Sequence, residues 1–195
     1  TNRAPRQVTK GVPGDEIRLR LELRVMADVG LLGLPNAGKS SLLRQISAAT
    51  PKVADYAFTT IKPHVGVVHY REYDSFVMAD IPGLISGAAE GSGMGDRFLK
   101  HLMRCRVLVH LVDVTQDLNE QIEVIEQEVK AYGQELDEKT RYIVLNKIDA
   151  LDEESLLKQE ELLKNKGLKY MGISALTGKG CDEMVAFLWK ALTNR

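Results

Sequence analysis

One eight-residue segment constrains the fold of this chain more than any other feature: Gly33-Leu-Pro-Asn-Ala-Gly38-Lys39-Ser40. It follows a short apolar run, Val29 to Gly33, and precedes a helix predicted from Lys39 to Ala49. A glycine-rich turn between a buried strand and a helix directs backbone N–H groups and the helix N-terminus at one point, where they bind phosphate. In such a loop Lys39 reaches the terminal phosphates and the Ser40 hydroxyl binds Mg²⁺. A chance glycine turn is the alternative, but the strand before it and the helix after it favour a phosphate-binding loop.

Strand-like and helix-like segments alternate along the rest of the chain. This order is typical of an α/β fold with a mostly parallel sheet and helices on both faces. The six predicted strands are Val29–Gly33, Val65–Tyr70, Phe76–Ala79, Val107–Val112, Tyr142–Leu145 and Tyr170–Ile173. The predicted helices cover residues 39–49, 96–104, 118–135, 153–166 and 182–192. Ligands of such sheets bind outside the carboxyl ends of the strands, so the loops after the strands should carry the chemistry.

Composition excludes several classes of protein. Hydrophobic residues make up 44% of the 195 residues, too many for a disordered chain, and no apolar run is long enough for a transmembrane helix. The net charge of −1 argues against DNA binding through overall charge. Cys105 and Cys181 are far apart, which favours a reducing, cytoplasmic location. The four histidines lack ligand spacing, and His110, inside a predicted buried strand, is expected to be a hydrogen-bonded core residue.

The first 22 residues differ from the remainder. Pro5, Gly11, Pro13 and Gly14 interrupt a charged segment. We therefore divide the chain into a linker or tail of a preceding domain, residues 1–22, and one domain, residues 23–195.

Two further segments could complete a Mg²⁺ site. Asp80-Ile81-Pro82-Gly83 follows a predicted strand, so the Asp80 carboxylate can hold Mg²⁺, usually through water, and the Gly83 N–H can bind a terminal phosphate. Phe58-Thr59-Thr60-Ile61 precedes another strand, and we choose the Thr60 hydroxyl as a ligand that binds with the γ-phosphate and leaves after hydrolysis. By itself the first segment could be an ordinary turn, and the second could be two β-branched residues that begin a strand.

Asn146-Lys147-Ile148-Asp149, after the fifth predicted strand, indicates selection of a guanine base. The Asp149 carboxylate can accept from guanine N1–H and the N2 amine together, whereas adenine would leave the carboxylate unpaired. Asn146 can bond the base and tie this loop to the phosphate loop, and the Lys147 stem can cover the base. Ser174-Ala175-Leu176 follows the last strand, where a backbone N–H can meet guanine O6. Without the other motifs, both segments would be ordinary loops.

In their order along the chain and in their amino-acid sequences, these motifs resemble those of the Obg family of bacterial-type GTPases. The resemblance covers almost the whole chain. It is carried by five segments: Ala27-Asp-Val-Gly, Gly33-Leu-Pro-Asn-Ala-Gly-Lys-Ser, Ala54-Asp-Tyr-Ala-Phe-Thr-Thr, Asp80-Ile-Pro-Gly-Leu-Ile and Gly87-Ala-Ala-Glu-Gly. It implies a P-loop NTPase fold, specifically a Ras-like GTPase domain, between a glycine-rich N-terminal domain and a variable C-terminal one. It also implies a role in large ribosomal subunit assembly that responds to guanine nucleotides, including guanosine tetraphosphate. We expect a monomer.

The resemblance assigns nucleotide contacts residue by residue. They are Gly33, Leu34, Pro35, Asn36, Ala37, Gly38, Lys39, Ser40, Ser41, Phe58, Thr59, Thr60, Ile61, Lys62, Asp80, Ile81, Pro82, Gly83, Asn146, Lys147, Ile148, Asp149, Ser174, Ala175 and Leu176. We expect Lys39, Asn36, Thr60 and Gly83 to act in catalysis, and Ser40, Thr60 and Asp80 to hold Mg²⁺. Asn36 matches the position that holds K⁺ in K⁺-activated relatives, where K⁺ could replace an arginine finger. Alternatively, Asn36 only stabilises its loop.

Leu84 occupies the position where Ras-type GTPases have the glutamine that orients the attacking water. We therefore predict slow intrinsic hydrolysis of GTP. Residues 84–97 are rich in glycine and are predicted to form a second nucleotide-sensitive switch, or else a mobile loop without a signalling role. Two rival functions stay open. One is a guanine-nucleotide sensor without turnover, which Leu84 allows, and the other is an ATPase, which Asp149 opposes.

Overall fold

A mostly parallel sheet organises the chain in a computed structural model, which describes residues 27–53, 63–80, 105–132 and 139–193 with positions 11, 14 and 17. Its strands are β1 Val29–Leu32, β2 Lys52–Val53, β3 His64–His69, β4 Ser75–Asp80, β5 Val107–Asp113, β6 Arg141–Asn146 and β7 Tyr170–Gly172. The helices are α1 Lys39–Ile46, α2 Leu118–Tyr132, α3 Glu153–Asn165 and α4 Cys181–Thr193, and a 3-10 turn spans Ile148–Ala150.

The strand order is β2-β3-β4-β1-β5-β6-β7, with β1 parallel to both β4 and β5. The remaining pairs on that side, β5 with β6 and β6 with β7, are also parallel. β3 runs antiparallel to β4 because a tight turn joins them, closed by the Tyr70 N–H donating to the Asp74 carbonyl at 2.9 Å. All six predicted strands are present, so the predicted architecture is confirmed. The two-residue β2, antiparallel to β3, adds a seventh strand at the edge.

The central strand β5 explains how the helices are arranged. Every residue of β5 is buried, as its continuous apolar run predicts. Val107, Val109 and Leu111 face a core cluster that includes residues of α1 and α4. Leu108 and Val112 face the other side, where residues of α2 and α3 complete two further clusters. The prediction of helices on both faces is therefore confirmed.

Several element ends differ from the predictions. α1 ends at Ile46 rather than residue 49, because Ser47 is extended and forms a bridge with Val68. α3 ends at Asn165, and Gly167 follows with a φ of +67°. α2 is described to Tyr132. The predicted helix over residues 96–104 and most of the tail over residues 1–22 lie outside the described residues. Within the described chain, no helix is long and apolar enough to cross a membrane.

His110 is buried as predicted, but the expectation that its hydrogen bonds are satisfied is wrong for one ring nitrogen. It lies in β5 between Leu32 of β1 and Ile143 of β6 and is 4% exposed. Among the described residues, its Nε2 has no hydrogen-bond partner. Burial, with the positive charges of Arg141 and Lys39, lowers the pKa of His110 to about 4. His110 is therefore a neutral core residue at pH 7.

Candidate functional site

The loop between β1 and α1 has the backbone geometry of a phosphate cradle. β1 is buried along its whole length, and Ala37 is 1% exposed, so both ends of the loop are fixed by packing. Asn36 and Gly38 have φ of +64° and +97°. At Gly38 a Cβ would also overlap the Asn146 side-chain amide, which makes glycine necessary there. Asn36 is a residue type that tolerates positive φ, which gives its loop-stabilising interpretation a physical basis.

The Lys39 ammonium lies against the same loop. Its Nζ donates to the Gly33 and Leu34 carbonyls, at 2.8 and 3.0 Å. Burial lowers the pKa of Lys39, and the negative charge of Asp80 partly opposes that shift. A bound phosphate would favour the charged form further, because opposite charges at short range stabilise each other. The geometry thus places a cation at the floor of the cradle.

Ser40 and Asp80 come together at the first turn of α1. The Ser40 Oγ donates to Asp80 Oδ2 at 2.6 Å. Asp80 is 4% exposed, and its Oδ1 has no hydrogen-bond partner among the described residues. A carboxylate and a hydroxyl are the hard oxygen donors that Mg²⁺ prefers. The two residues fit a Mg²⁺ ion, since the unpartnered carboxylate oxygen is an orphaned acceptor beside the phosphate loop.

Asn146 joins three loops through one buried side chain. At the end of β6 it is 1% exposed, and its Nδ2 donates to the Ala37 carbonyl at 2.8 Å. Its Oδ1 accepts from the Ala175 N–H at 2.9 Å. The phosphate loop, the loop after β6 and the loop after β7 are therefore held in one fixed arrangement. The structure thus places the predicted tie to the phosphate loop at Ala37.

A cleft of about 510 Å³ lies between α1 and the loops that follow β6 and β7. Its walls are Gly38, Ser41, Arg44, Gln45, Asn146, Lys147, Asp149, Ala150, Ala175 and Leu176. Ile148 packs into the core, whereas the next residue, Asp149, is exposed on the cleft. The volume and the single carboxylate among the lining residues suit a purine base. We call this the base cleft.

The loop after β7 is held by its own hydrogen bonds. The Ser174 N–H donates to Lys179, and the Gly178 N–H donates to the Ser174 carbonyl. The Ala175 amide is used by Asn146. Within the described chain, the Leu176 N–H has no such bond, and its side chain is 82% exposed beside the cleft. Leu176 is therefore the residue of this loop whose amide can meet a ligand.

The structure brings together the predicted residues of three segments and Asp80. The gathered segments are residues 33–41, 146–149 and 174–176. Other predicted residues lie outside the described part: Phe58, Thr59, Thr60, Ile61 and Lys62 of one segment, and Ile81, Pro82 and Gly83 of the other. Leu84 and the glycine-rich stretch that follows it lie outside it too.

Sequence reasoning missed three residues around the base cleft. Arg44 and Gln45 line it. They follow Ser41 by three and four positions on α1, a spacing that puts all three on one helix face and could have indicated them. Asp113 ends β5 and its carboxylate accepts a hydrogen bond from Lys147. A charged residue that ends a largely apolar strand at the ligand edge was the available signal.

Comparisons with known proteins identify the family of this chain. A family model described as a 50S ribosome-binding GTPase matches residues 28–147. GTPase Obg of Novosphingobium aromaticivorans is 53% identical over 189 residues, which cover 95% of this chain and 53% of that protein. GTPase Obg of Acidithiobacillus ferrooxidans is 52% identical over 200 residues, 98% of this chain and 53% of that protein. The chain thus spans about half the length of these relatives.

Among solved structures, a variant of Era from Aquifex aeolicus bound to GDP and aluminium fluoride has a TM-score of 0.66. It is 25% identical, and the match covers 87% of this chain and 57% of that one. The fold is therefore that of the P-loop GTPases. The family model covers the strands β1 to β6 with the loop between β1 and α1, and it ends at Lys147. On these grounds the chain belongs to the Obg family of GTPases.

Proposed function

We propose that this chain binds GTP with Mg²⁺ and hydrolyses it slowly to GDP and phosphate. The observation that carries the proposal is the Asn146 side chain, which fixes the phosphate loop and the base cleft relative to each other. A ligand that carries both a base and a polyphosphate matches this arrangement. Membership of a GTPase family supports the same reaction.

The phosphate end depends on charge and on backbone donors. The N–H groups at the start of α1 and the Lys39 ammonium stabilise the negative charge that develops on the transferred phosphoryl group. When phosphate enters, Lys39 exchanges the Gly33 and Leu34 carbonyls for phosphate oxygens. Because those bonds keep the ammonium at the loop before ligand arrives, little reorganisation is needed.

Ser40 and Asp80 would hold Mg²⁺, with Thr60 as a further ligand. Bound there, Mg²⁺ supplies charge neutralisation of the β- and γ-phosphate oxygens. The Ser40 oxygen would bind the ion through a lone pair, so its hydroxyl hydrogen could still donate to Asp80 and hold the two ligands together. The domain acts as a switch because two segments contact the γ-phosphate and lose that contact after hydrolysis. These segments contain Thr60 in one case, and Gly83 with residues 84–97 in the other.

The base end selects guanine. Asp149 accepts from N1–H and the N2 amine, the Leu176 N–H donates to O6, and the Lys147 stem covers one face of the base. ATP is rejected because adenine offers an acceptor where Asp149 needs a donor. These residues lie on the walls of one cleft, which supports their joint action.

The attack of water on the γ-phosphate is slow, since Leu84 cannot orient the water. Asn36 would then hold a K⁺ ion that adds positive charge to the transition state. The partners we propose are GDP, GTP, guanosine tetraphosphate and the large ribosomal subunit, the last supported by the family's description. The domain would span residues 23–195, follow the tail 1–22, and work as a monomer in the cytoplasm.

Multiple-turnover phosphate release tests the reaction. We expect turnover with GTP and Mg²⁺ but not with ATP, and faster turnover in K⁺ than in Na⁺.

Asp149→Asn should weaken GDP binding by about 100-fold, because the guanine N1–H and N2 amine lose the carboxylate that accepts from both. Glu153→Gln, an exposed change on α3, is the matched control and should bind normally. GTP binding without turnover in either salt would favour a sensor, and equal use of ATP would refute guanine selection.

A further inference from the structure

A buried hydrogen-bond network lies beside the base cleft, and its centre is Asp113. The residue ends β5 and is 1% exposed. One carboxylate oxygen accepts from Lys147 Nζ at 2.5 Å. The other accepts from the Thr115 N–H at 2.9 Å and from the Thr115 hydroxyl at 2.7 Å. Both oxygens are therefore used, and the carboxylate has a fixed orientation.

The backbone of Asp113 is held as firmly as its side chain. Gln121 of α2 is 2% exposed. Its Oε1 accepts from the Asp113 N–H, and its Nε2 donates to the Asp113 carbonyl, both at 2.9 Å. Such paired bonds resemble those that a neighbouring strand would make. Asp113 is thus positioned by α2 independently of any ligand.

The electrostatics of the carboxyl favour its ionised form. Burial raises the pKa of Asp113, but the hydrogen bonds from Lys147 and Thr115 outweigh burial and hold the pKa below its usual range. Asp113 therefore carries a full negative charge at neutral pH, with one cation facing it. The side chain of Lys147 is 36% exposed and that of Asp113 only 2%, so the lysine reaches inward to the aspartate.

Lys147 is the wall residue that this charge controls. It has a φ of +66° and immediately precedes the 3-10 turn that carries Asp149. Lys147 lines the base cleft, and its ammonium is bound to Asp113. An untethered lysine samples many rotamers, and a ligand that needs its stem as a wall must pay to order it.

We propose that Asp113 is a positioning residue for nucleotide binding: it anchors the Lys147 ammonium so that the lysine stem is preordered as one wall of the base cleft. The inference rests on the proposed function, because it presumes that a guanine base occupies the cleft. Asp113 acts through Lys147 and not on the base. It therefore contributes to affinity without selecting the base, whereas Asp149 contributes to both.

A double-mutant cycle tests the proposal with fluorescent GDP and GTP turnover. Asp113→Asn keeps the shape and the acceptor for Thr115 but removes the charge, and Lys147→Met keeps the apolar stem but removes the ammonium. We expect each change alone to weaken GDP binding by about 10-fold, the size expected when the ligand must order one free side chain. In the Lys147→Met background, Asp113→Asn should have no further effect.

Two readouts separate positioning from a purely structural role. In Asp113→Asn the turnover rate at saturating GTP should stay within about twofold of wild type, since this change does not touch the phosphate end. The ratio of GDP to IDP affinity should be unchanged in Asp113→Asn, because the Asp149 contacts persist. Thr115→Val, which removes one hydrogen bond from Asp113, is a milder variant and should give a smaller loss in the same direction. Asp117→Asn, which removes the nearby carboxylate that accepts from Glu120 N–H, is the control and should leave the affinity unchanged.

Defined outcomes would overturn the inference. The inference fails if Asp113→Asn binds GDP as tightly as wild type does. It also fails if Asp113→Asn loses as much GDP affinity in the Lys147→Met background as in the wild-type background. If Asp113→Asn does not fold, the inference fails when both Thr115→Val and Lys147→Met bind GDP as tightly as wild type does. If wild type binds no guanine nucleotide, the proposed function fails together with this inference, whereas loss of the coupling alone leaves the proposed function intact.

Discussion

Replacing His110 with leucine should remove a large part of the acid sensitivity of this domain. The pKa of His110 is lowered from 6.5 to about 4, with burial as the main cause. Between these two values the unfolded chain takes up a proton that the folded chain excludes, so the free energy of unfolding falls as the pH falls. The difference of about 2.5 units corresponds to about 3 kcal/mol in total, of which about 2 kcal/mol is lost by pH 5. That loss is a large fraction of the stability of an ordinary domain.

Urea unfolding at pH 7 and pH 5 measures the effect. In each protein we take the decrease in the free energy of unfolding from pH 7 to pH 5, and we compare the decrease in His110→Leu with that in wild type. This comparison cancels any effect of leucine on packing that does not depend on pH. Other groups contribute to the wild-type loss. Burial raises the pKa of Glu128 to about 7, and this group stabilises the fold as the pH falls, opposite in sign to His110. Because Glu128 is present in both proteins, the comparison removes it.

His69→Gln is the matched control, since His69 is exposed at the end of β3. Its loss between pH 7 and pH 5 should equal that of wild type. In His110→Leu the loss should be smaller by about 2 kcal/mol. The reasoning is refuted if the free energy of unfolding of His110→Leu decreases by the same amount as that of wild type, to within about 0.5 kcal/mol. That result would mean that burial does not lower the pKa of His110.

Two further predictions concern the junction of the loops. Gly38→Ala should reduce GDP affinity at least about 10-fold, because alanine is strained at φ +97° and its Cβ overlaps the Asn146 amide. Gly167→Ala, at a similar φ but in open space, is its control, and an equal effect of both on GDP affinity would contradict the steric argument. Asn146→Ala should lower the free energy of unfolding by about 3 kcal/mol in urea, because the buried Ala37 carbonyl and Ala175 N–H lose their partner. If Asn146→Ala unfolds with the same free energy as wild type, the prediction is wrong, because water then replaces both hydrogen bonds at no cost.

The strands and the phosphate loop were predictable because each has a local signature. β5 is a continuous apolar run, and the loop is a fixed spacing of glycine, lysine and serine between a strand and a helix. β2 was not predictable, since two residues are too few to show an alternating pattern, and only pairing with β3 defines it. The end of α1 was placed three residues late because Ser47 leaves the helix to pair with Val68, a contact distant in sequence.

The base cleft was predictable only in part. Asn146, Lys147 and Asp149 lie close together in the sequence, so a short motif identifies them. Asp113 is 34 positions from Lys147, and their contact depends on the register of β5 against β6, in which Asp113 lies opposite Asn146. The unpartnered Nε2 of His110 escaped prediction for the same reason. A sequence indicates that a residue is buried, but which atoms surround it depends on the packing of other elements.

The Asn146 junction has a consequence for ligand fragments. Because one side chain fixes the distance between the phosphate loop and the loop after β7, a covalently linked nucleotide gains an effective local concentration that separate pieces lack. Guanosine and pyrophosphate added together would each bind alone and weakly. The intact nucleotide would bind far more tightly than the sum of the two, as a bidentate chelator exceeds two separate donors. If the proposed function holds, this single side-chain amide makes the domain bind whole nucleotides in preference to free bases or free phosphates.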